Sequence, residues 1–280
     1  MKKFKIFHHI DQRTIDEMYN EYAPVFILST GRSGSKFIHT LLSKSDELQS
    51  YHEAFPNLQY FSNYAYHNQS KREVLIKMIE AARMELILDE FNNNKIFVES
   101  NQCLVFFAYP LADLFKKSKF IHIIRHPGDF IVSAVKKGWH MNDSIWEAGR
   151  VKLKDMAKWN AMSQIERLAW TWSVTNQFIH DFGASIGDEK FTAFRIEDIY
   201  SDKNQVHSLL NFIGAEIKIP DDVIRDVQNK KINELVIHRD EPANMKKVLN
   251  FPEYKKWDNE NKEIMKKYVK PMSDEFGYRV

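Results

Sequence analysis

At 280 residues, with 44% hydrophobic and 28% charged side chains, the chain is long enough to bury one large core. A formal net charge of +2 exerts no global pull towards nucleic acid or an anionic membrane. The one cysteine, Cys103, excludes an internal disulfide and fits a reducing compartment. His8, His9 and Asp11 end the first apolar stretch before a signal-peptide core forms, and no run is long enough to span a bilayer. The expectation is a cytoplasmic protein. No repeat or composition shift divides the sequence, so 1–280 reads as a single domain. Residues 1–22 form a polar entry segment with a helix from about Thr14.

The first element after that is the apolar run Val25 to Leu28, which reads as a buried strand. It breaks into Ser29-Thr-Gly-Arg-Ser-Gly-Ser-Lys36, and Phe37 to Ser43 then reads as a helix. A small-residue loop between a strand end and a helix N-terminus makes an anion site, because free N–H groups and the helix dipole point into it. Gly31 and Gly34 permit the tight path, Ser33 and Ser35 add hydroxyls, and Arg32 and Lys36 supply charge. The loop is too short for the ATPase G-x-x-x-x-G-K-[ST] pattern and has Ser35 where a hydrolase elbow needs glycine. An ordinary turn that binds nothing is the plain alternative.

Ser70 to Glu73 has the pattern of a capping box for a helix to about Glu90, with Val74, Met78, Ala81, Ala82 and Leu86 on its apolar side. Lys95 to Val98 and Lys119 to Ile124 read as strands. After the second comes Arg125-His-Pro-Gly-Asp129, then a helix bearing Ser133. Gln164 to Phe182 is a helix with Leu168, Trp172 and Ile179 towards the core and Trp170 on the opposite side. Phe191 to Phe194 adds a strand and Asp258 to Phe276 a last helix. This alternation predicts an α/β fold, P-loop-like, with a central parallel sheet covered by helices on both faces. The loops after Leu28 and Ile124 then open on one crevice.

Together these segments resemble the sulfotransferases that use 3′-phosphoadenosine 5′-phosphosulfate (PAPS). Arg32-Ser33-Gly34-Ser35 matches the family's phosphosulfate loop, and Arg125 with Ser133 matches its second anion element. Phe194-Arg-Ile-Glu-Asp-Ile, Val206 to Gly214 and the Phe276-Gly277-Tyr278 close are similar to later family segments, so the resemblance covers 24–280. It is nearest in motif to the carbohydrate and tyrosyl-protein branches, which place a glutamate base shortly after the loop; Glu53 stands there. The resemblance implies that residues 31–36 bind the donor, with Arg32 stabilising the leaving phosphate and the N–H groups of Gly34 to Lys36 holding the 5′-phosphate, that Arg125 and Ser133 bind the 3′-phosphate, and that no metal is required. Three positions depart from the family. Glu99-Ser100-Asn101 stands where many relatives carry a lysine, Lys36 replaces a threonine, and Ile196 replaces a tyrosine near the adenine.

A lone glutamate is usually a solvated surface residue, which is the alternative for Glu53. His52 is a backup base. His8, His9 and His52 lack the partners of a metal motif, and His126 reads as a loop hydrogen-bonder. Trp139, Trp146 and Trp159 form an acceptor-side wall or simply pack, with Phe55, Tyr60, Phe61, Tyr64 and Tyr66 as the facing wall. Such walls suit a sugar or another hydroxylated acceptor and would suit a phenol too; the acceptor expected is a carbohydrate or glycoconjugate. Two rivals stand beside the transferase: a small-molecule P-loop-type kinase, and a non-catalytic sensor of 3′-phosphoadenosine 5′-phosphate (PAP).

Overall fold

The computed structural model describes residues 11–141, 145–230 and 250–280, without the side chains of Ile145 and Trp146. His8, His9 and the Trp146 ring, each weighed above, lie outside what is described. Asp11 caps the first helix, α1 (Gln12–Glu21), through a 2.7 Å bond from the Thr14 N–H. Then follow β1 (Val25–Leu28), α2 (Ser35–Leu42), β2 (Leu48–His52), α3 (Gln59–His67), α4 (Arg72–Asn92) and β3 (Ile96–Ser100). A 3₁₀ turn (Gln102–Phe107) leads to α5 (Ala108–Leu114), β4 (Lys119–Ile124) and α6 (Pro127–Val135). Short helices α7 (Ile145–Ala148) and α8 (Met156–Ala161) precede the long α9 (Gln164–Ile186) and β5 (Phe191–Arg195). Helices α10 (Ile196–Ser201), α11 (Lys203–Ile213) and α12 (Asp221–Asn229), a second 3₁₀ turn (Tyr254–Lys256) and α13 (Asn259–Glu275) complete the order.

All strand pairs are parallel, in the order β2-β3-β1-β4-β5. Alternation along β1 explains how one short strand serves two cores. Phe26 and Leu28 face a cluster with α1, α4, α5 and α9, while Val25 and Ile27 face one with α2, α10, α11 and α12. A third cluster joins Ile124 to α6, the first half of α9 and α13. The expected parallel sheet with helices on both faces is therefore what forms. Leu168, Trp172 and Ile179 are fully buried, and α9 starts with a complete capping box, Ser163 with Glu166.

Three local expectations fail. The Ser70–Glu73 box does not form: α4 begins at Arg72, with Lys71 at the N-cap and no side-chain cap. Its buried face is Leu75, Ile79, Arg83 and Ile87, whereas Val74 is exposed. The buried arginine interrupts the hydrophobic stripe and makes the neighbouring face look like the apolar one. Strand β2, which the chain-order reading passed over, is a full edge strand paired to β3 from Leu48↔Ile96 to His52↔Ser100. Trp170 is half-buried against Tyr66 and Trp159.

Candidate active site

The loops after β1 and β4 lie side by side because β1 and β4 pair in register from Val25↔Lys119 to Leu28↔His122. Gly31 and Gly34 both have positive φ (74° and 85°), which glycine adopts without strain. Space forbids a side chain as well. A Cβ on Gly31 would lie 2.2 Å from Gln102 Oε1, and one on Gly34 would lie 2.5 Å from Ile196 Cγ1. Gly34 is the N-cap of α2 and offers no side-chain cap, so the first-turn N–H groups stay available. Ser33 is fully buried and shapes the loop from within, donating to the Gly31 carbonyl at 3.0 Å and meeting Thr30 Oγ1 at 2.9 Å.

The two loops touch. Arg125 Nη1 donates to the Arg32 carbonyl at 2.8 Å, and Arg32 Nε donates to Ser133 Oγ at 3.0 Å. Burial, then the charge of Arg125, pushes the Arg32 guanidinium below its ordinary pKa, with Arg150 adding to the effect and Glu53 opposing it. Cations gathered at this density fit an anionic ligand. Lys36, Lys136 and Lys137 also line the cleft, which measures about 870 Å³. The structure thus brings Gly31, Arg32, Gly34, Ser35, Lys36, Arg125, Ser133 and Glu53 onto one cleft, with Ser33 buried behind the loop.

Glu53 follows the end of β2 and is exposed to the cleft. Its φ is +50°, as unusual for a non-glycine residue as the +52° of Arg32. Such conformations persist where the surroundings over-determine them. The Glu53 N–H donates to the Ser100 carbonyl at 3.1 Å, and Gln102 Nε2 reaches its carboxylate at 3.4 Å. His52, the backup base, instead meets Ser35 Oγ at 3.0 Å. His126 is the hydrogen-bonder expected: its Nδ1 accepts from the Gly128 N–H at 3.2 Å.

The departures find places in this geometry. Glu99 is fully buried and forks onto Arg83 beneath the cleft. Ile196 is fully buried under Gly34, and the ring that α10 brings to the cleft is Tyr200, edge-on to Phe37 at 4.7 Å. Glu197 anchors the second loop: it accepts from the His126 N–H at 2.9 Å and from the Tyr278 hydroxyl at 2.8 Å.

The acceptor-side expectation needs correction. The cleft wall beyond Glu53 is made by Asn57, Gln59 and Gln102, not by Phe55, Tyr60, Phe61 or Tyr64, which are exposed elsewhere. Tyr66 packs against Phe106 and Trp170, and Trp159 is 3% exposed, so packing accounts for both. Trp139 alone of the described tryptophans lines the cleft. Arg150 stacks on it at 3.6 Å and is tied through Nε to Glu147 Oε1 at 2.6 Å. Burial pushes the Glu147 carboxyl up, but the His140 hydrogen bond and the Arg150 charge outweigh it and hold it at about 2. Sequence reasoning missed Arg150, Gln102, Tyr200 and Tyr254; only the strand-end position of Gln102 carried a signal.

Among the described residues, no group of three or more His, Cys, Asp or Glu side chains converges as a metal site, and no helix is long and apolar enough to cross a membrane. Compared with curated proteins by sequence, the chain matches none. Its fold is similar to the sulfotransferase domain from the curacin biosynthetic pathway, at 17% identity and a TM-score of 0.52, covering 93% of this chain and 99% of that one. It is also similar to sulfotransferase STF9 from Mycobacterium avium, at 11% identity and a TM-score of 0.52, covering 92% and 78%. A model of the sulfotransferase family matches residues 24–219, a span that holds both touching loops and the whole sheet. On that match the chain belongs to the sulfotransferase family.

Proposed function

We propose that this single-domain enzyme transfers a sulfuryl group from PAPS to an acceptor hydroxyl, on a carbohydrate or another polyhydroxylated molecule. The observation that carries the proposal is the contact between the two loops over one cleft, with Glu53 across from Arg32. The residues fit a donor with two separate anionic groups. Arg125 and Ser133 would hold the 3′-phosphate, and the α2 N-terminus with Lys36 would hold the 5′-phosphate. When bound, PAPS supplies the sulfuryl group on a phosphate leaving group.

Arg32 then stabilises the charge that grows on that phosphate as the bond to sulfur breaks. Its side chain is half-buried among cations, so a developing anion meets preorganised charge. Glu53 takes the acceptor hydroxyl proton as attack proceeds in line. Arg150, held on Trp139, faces the same space and adds the charge that relatives draw from a lysine after β3. Asn57 and Gln102 bring amide groups suited to a polyhydroxylated acceptor.

The test is a transfer screen with radiolabelled PAPS against glycans, lipids and phenols. Label on glycans is the expected result. Label on lipids or phenols alone would reject the carbohydrate preference. PAP binding with no transfer to any acceptor would reject turnover in favour of a sensor.

A further inference from the structure

Arg83 sits in the middle of the buried face of α4, between Ile79 and Ile87, and is itself only 1% exposed. Its Nε and Nη2 fork onto Glu99 at 2.6 and 2.8 Å. Of the remaining donors, one on Nη1 stays on its own helix at the Ala82 carbonyl (2.9 Å), while Nη1 also bonds the Pro56 carbonyl at 3.0 Å and Nη2 the Ala54 carbonyl at 3.3 Å. The Pro56 and Ala54 carbonyls belong to the segment that leaves Glu53.

Glu99 extends the network to the other side of the same residue. It accepts from Asn101 Nδ2 at 2.9 Å, and Asn101 caps the 3₁₀ turn by accepting from the Cys103 N–H at 2.8 Å. That turn carries Gln102, whose amide reaches the Glu53 carboxylate at 3.4 Å. One buried ion pair therefore holds the backbone that follows Glu53 and, through the cap, the turn whose Gln102 reaches the Glu53 side chain.

A buried ion pair seldom stabilises a fold more than apolar side chains of the same size, so stability does not account for it. A rigid guanidinium bonded to two carbonyls of one loop does fix that loop. Resting on the assignment of Glu53 as the base, we propose that Arg83, forked on Glu99, is a positioning residue that holds Glu53 in its left-handed conformation facing the cleft.

Arg83→Met combined with Glu99→Met tests this without leaving a lone buried charge. The readouts are PAP affinity by calorimetry and PAP release from PAPS in single turnover, with water as the acceptor. PAP affinity should stay within about twofold, while release slows by about 10–10²-fold from misplacement of the base. In a Glu53→Gln background the same pair should add no further loss. A wild-type rate in the double variant, or an equal loss in both backgrounds, overturns the proposal. Should the double variant not fold, Arg83→Lys keeps the charge without the fork and runs the same cycle, with the same results supporting or overturning the role. Glu53→Gln alone at the wild-type rate would reject the base assignment and the proposal with it. A slow Glu53→Gln beside a fast Arg83 variant rejects the positioning role only.

Discussion

The two halves of the cleft are built in different ways. The half proposed for the donor comes from two contiguous segments at the ends of adjacent strands, 29–36 and 125–133, joined by the bonds from Arg125 to Arg32 and from Arg32 to Ser133. The half proposed for the acceptor is assembled from single residues on separate elements: Glu53 after β2, Gln102 in the 3₁₀ turn and Trp139 after α6. Backbone geometry dictates the first half, since a parallel sheet aligns its loops at one edge. Side-chain packing dictates the second. The difference teaches where substitutions should act: donor-half changes on charge, acceptor-half changes on geometry.

The largest effect is expected at Arg32. Arg32→Ala should slow sulfuryl transfer by about 10²–10³-fold, the loss typical of a preorganised donor to a developing oxyanion. PAP affinity should fall much less, because the charge matters most as the leaving phosphate forms. Single-turnover kinetics beside calorimetry separates the two. An unchanged rate with collapsed affinity would make Arg32 a ground-state clamp and blur the contrast between the halves.

Glu53→Gln should come next, with transfer slower by about 10²-fold and donor binding near that of the wild type. Single-turnover transfer beside calorimetry measures both, and a wild-type rate in this variant would move the base to another group.

How much of this is legible in the sequence follows from the same contrast. The loop at 29–36 is readable because its glycines, hydroxyls and cations are consecutive, and the structure explains each glycine by a positive φ and a close neighbour. Arg125 and Ser133 are readable because a strand end and a Pro-started helix fix their spacing. The aromatic wall is not, because composition does not say which face a ring occupies: Phe55 is 84% exposed, while Trp159 is core. Arg83 escapes sequence reasoning for a related reason. A charged residue inside an apolar stripe shifts the inferred face of α4, and its partners, Glu99 and two loop carbonyls, are distant in sequence.

Arg125→Ala tests the donor half more gently. Loss of its charge-assisted contacts should weaken PAP binding by about 1.5–3 kcal/mol and leave AMP, which lacks the 3′-phosphate, almost unaffected. Calorimetry with both nucleotides measures the gap. Equal affinity of the wild type for PAP and AMP would remove the second anion site.

The smallest effect concerns the seam between the halves, where His52 at the end of β2 meets Ser35 at the start of α2 at 3.0 Å. Burial holds the His52 pKa below its ordinary value, and Lys36 and Arg32 push it the same way against the pull of Glu53 and Glu99. His39, whose ring lies 6.0 Å away, is lowered as well, by burial and then by His52. The free imidazole is therefore neutral at pH 7. A phosphate arriving at the α2 N-terminus places negative charge beside Ser35 and raises the His52 pKa, so binding takes up a proton. A group with more protons in the bound state makes affinity rise as pH falls between its free and bound pKa values. PAP affinity should accordingly strengthen by about two- to threefold from pH 7.5 to pH 6.5, a window above most protonation of the phosphates themselves. His52→Gln keeps a hydrogen-bonding tip towards Ser35 but cannot titrate, and should lose that slope while retaining affinity at pH 7.5. Calorimetry in two buffers of different ionisation enthalpy reads the proton directly. Equal proton uptake by the wild type and His52→Gln would assign the linkage to the nucleotide and leave His52 as a packing partner of Ser35.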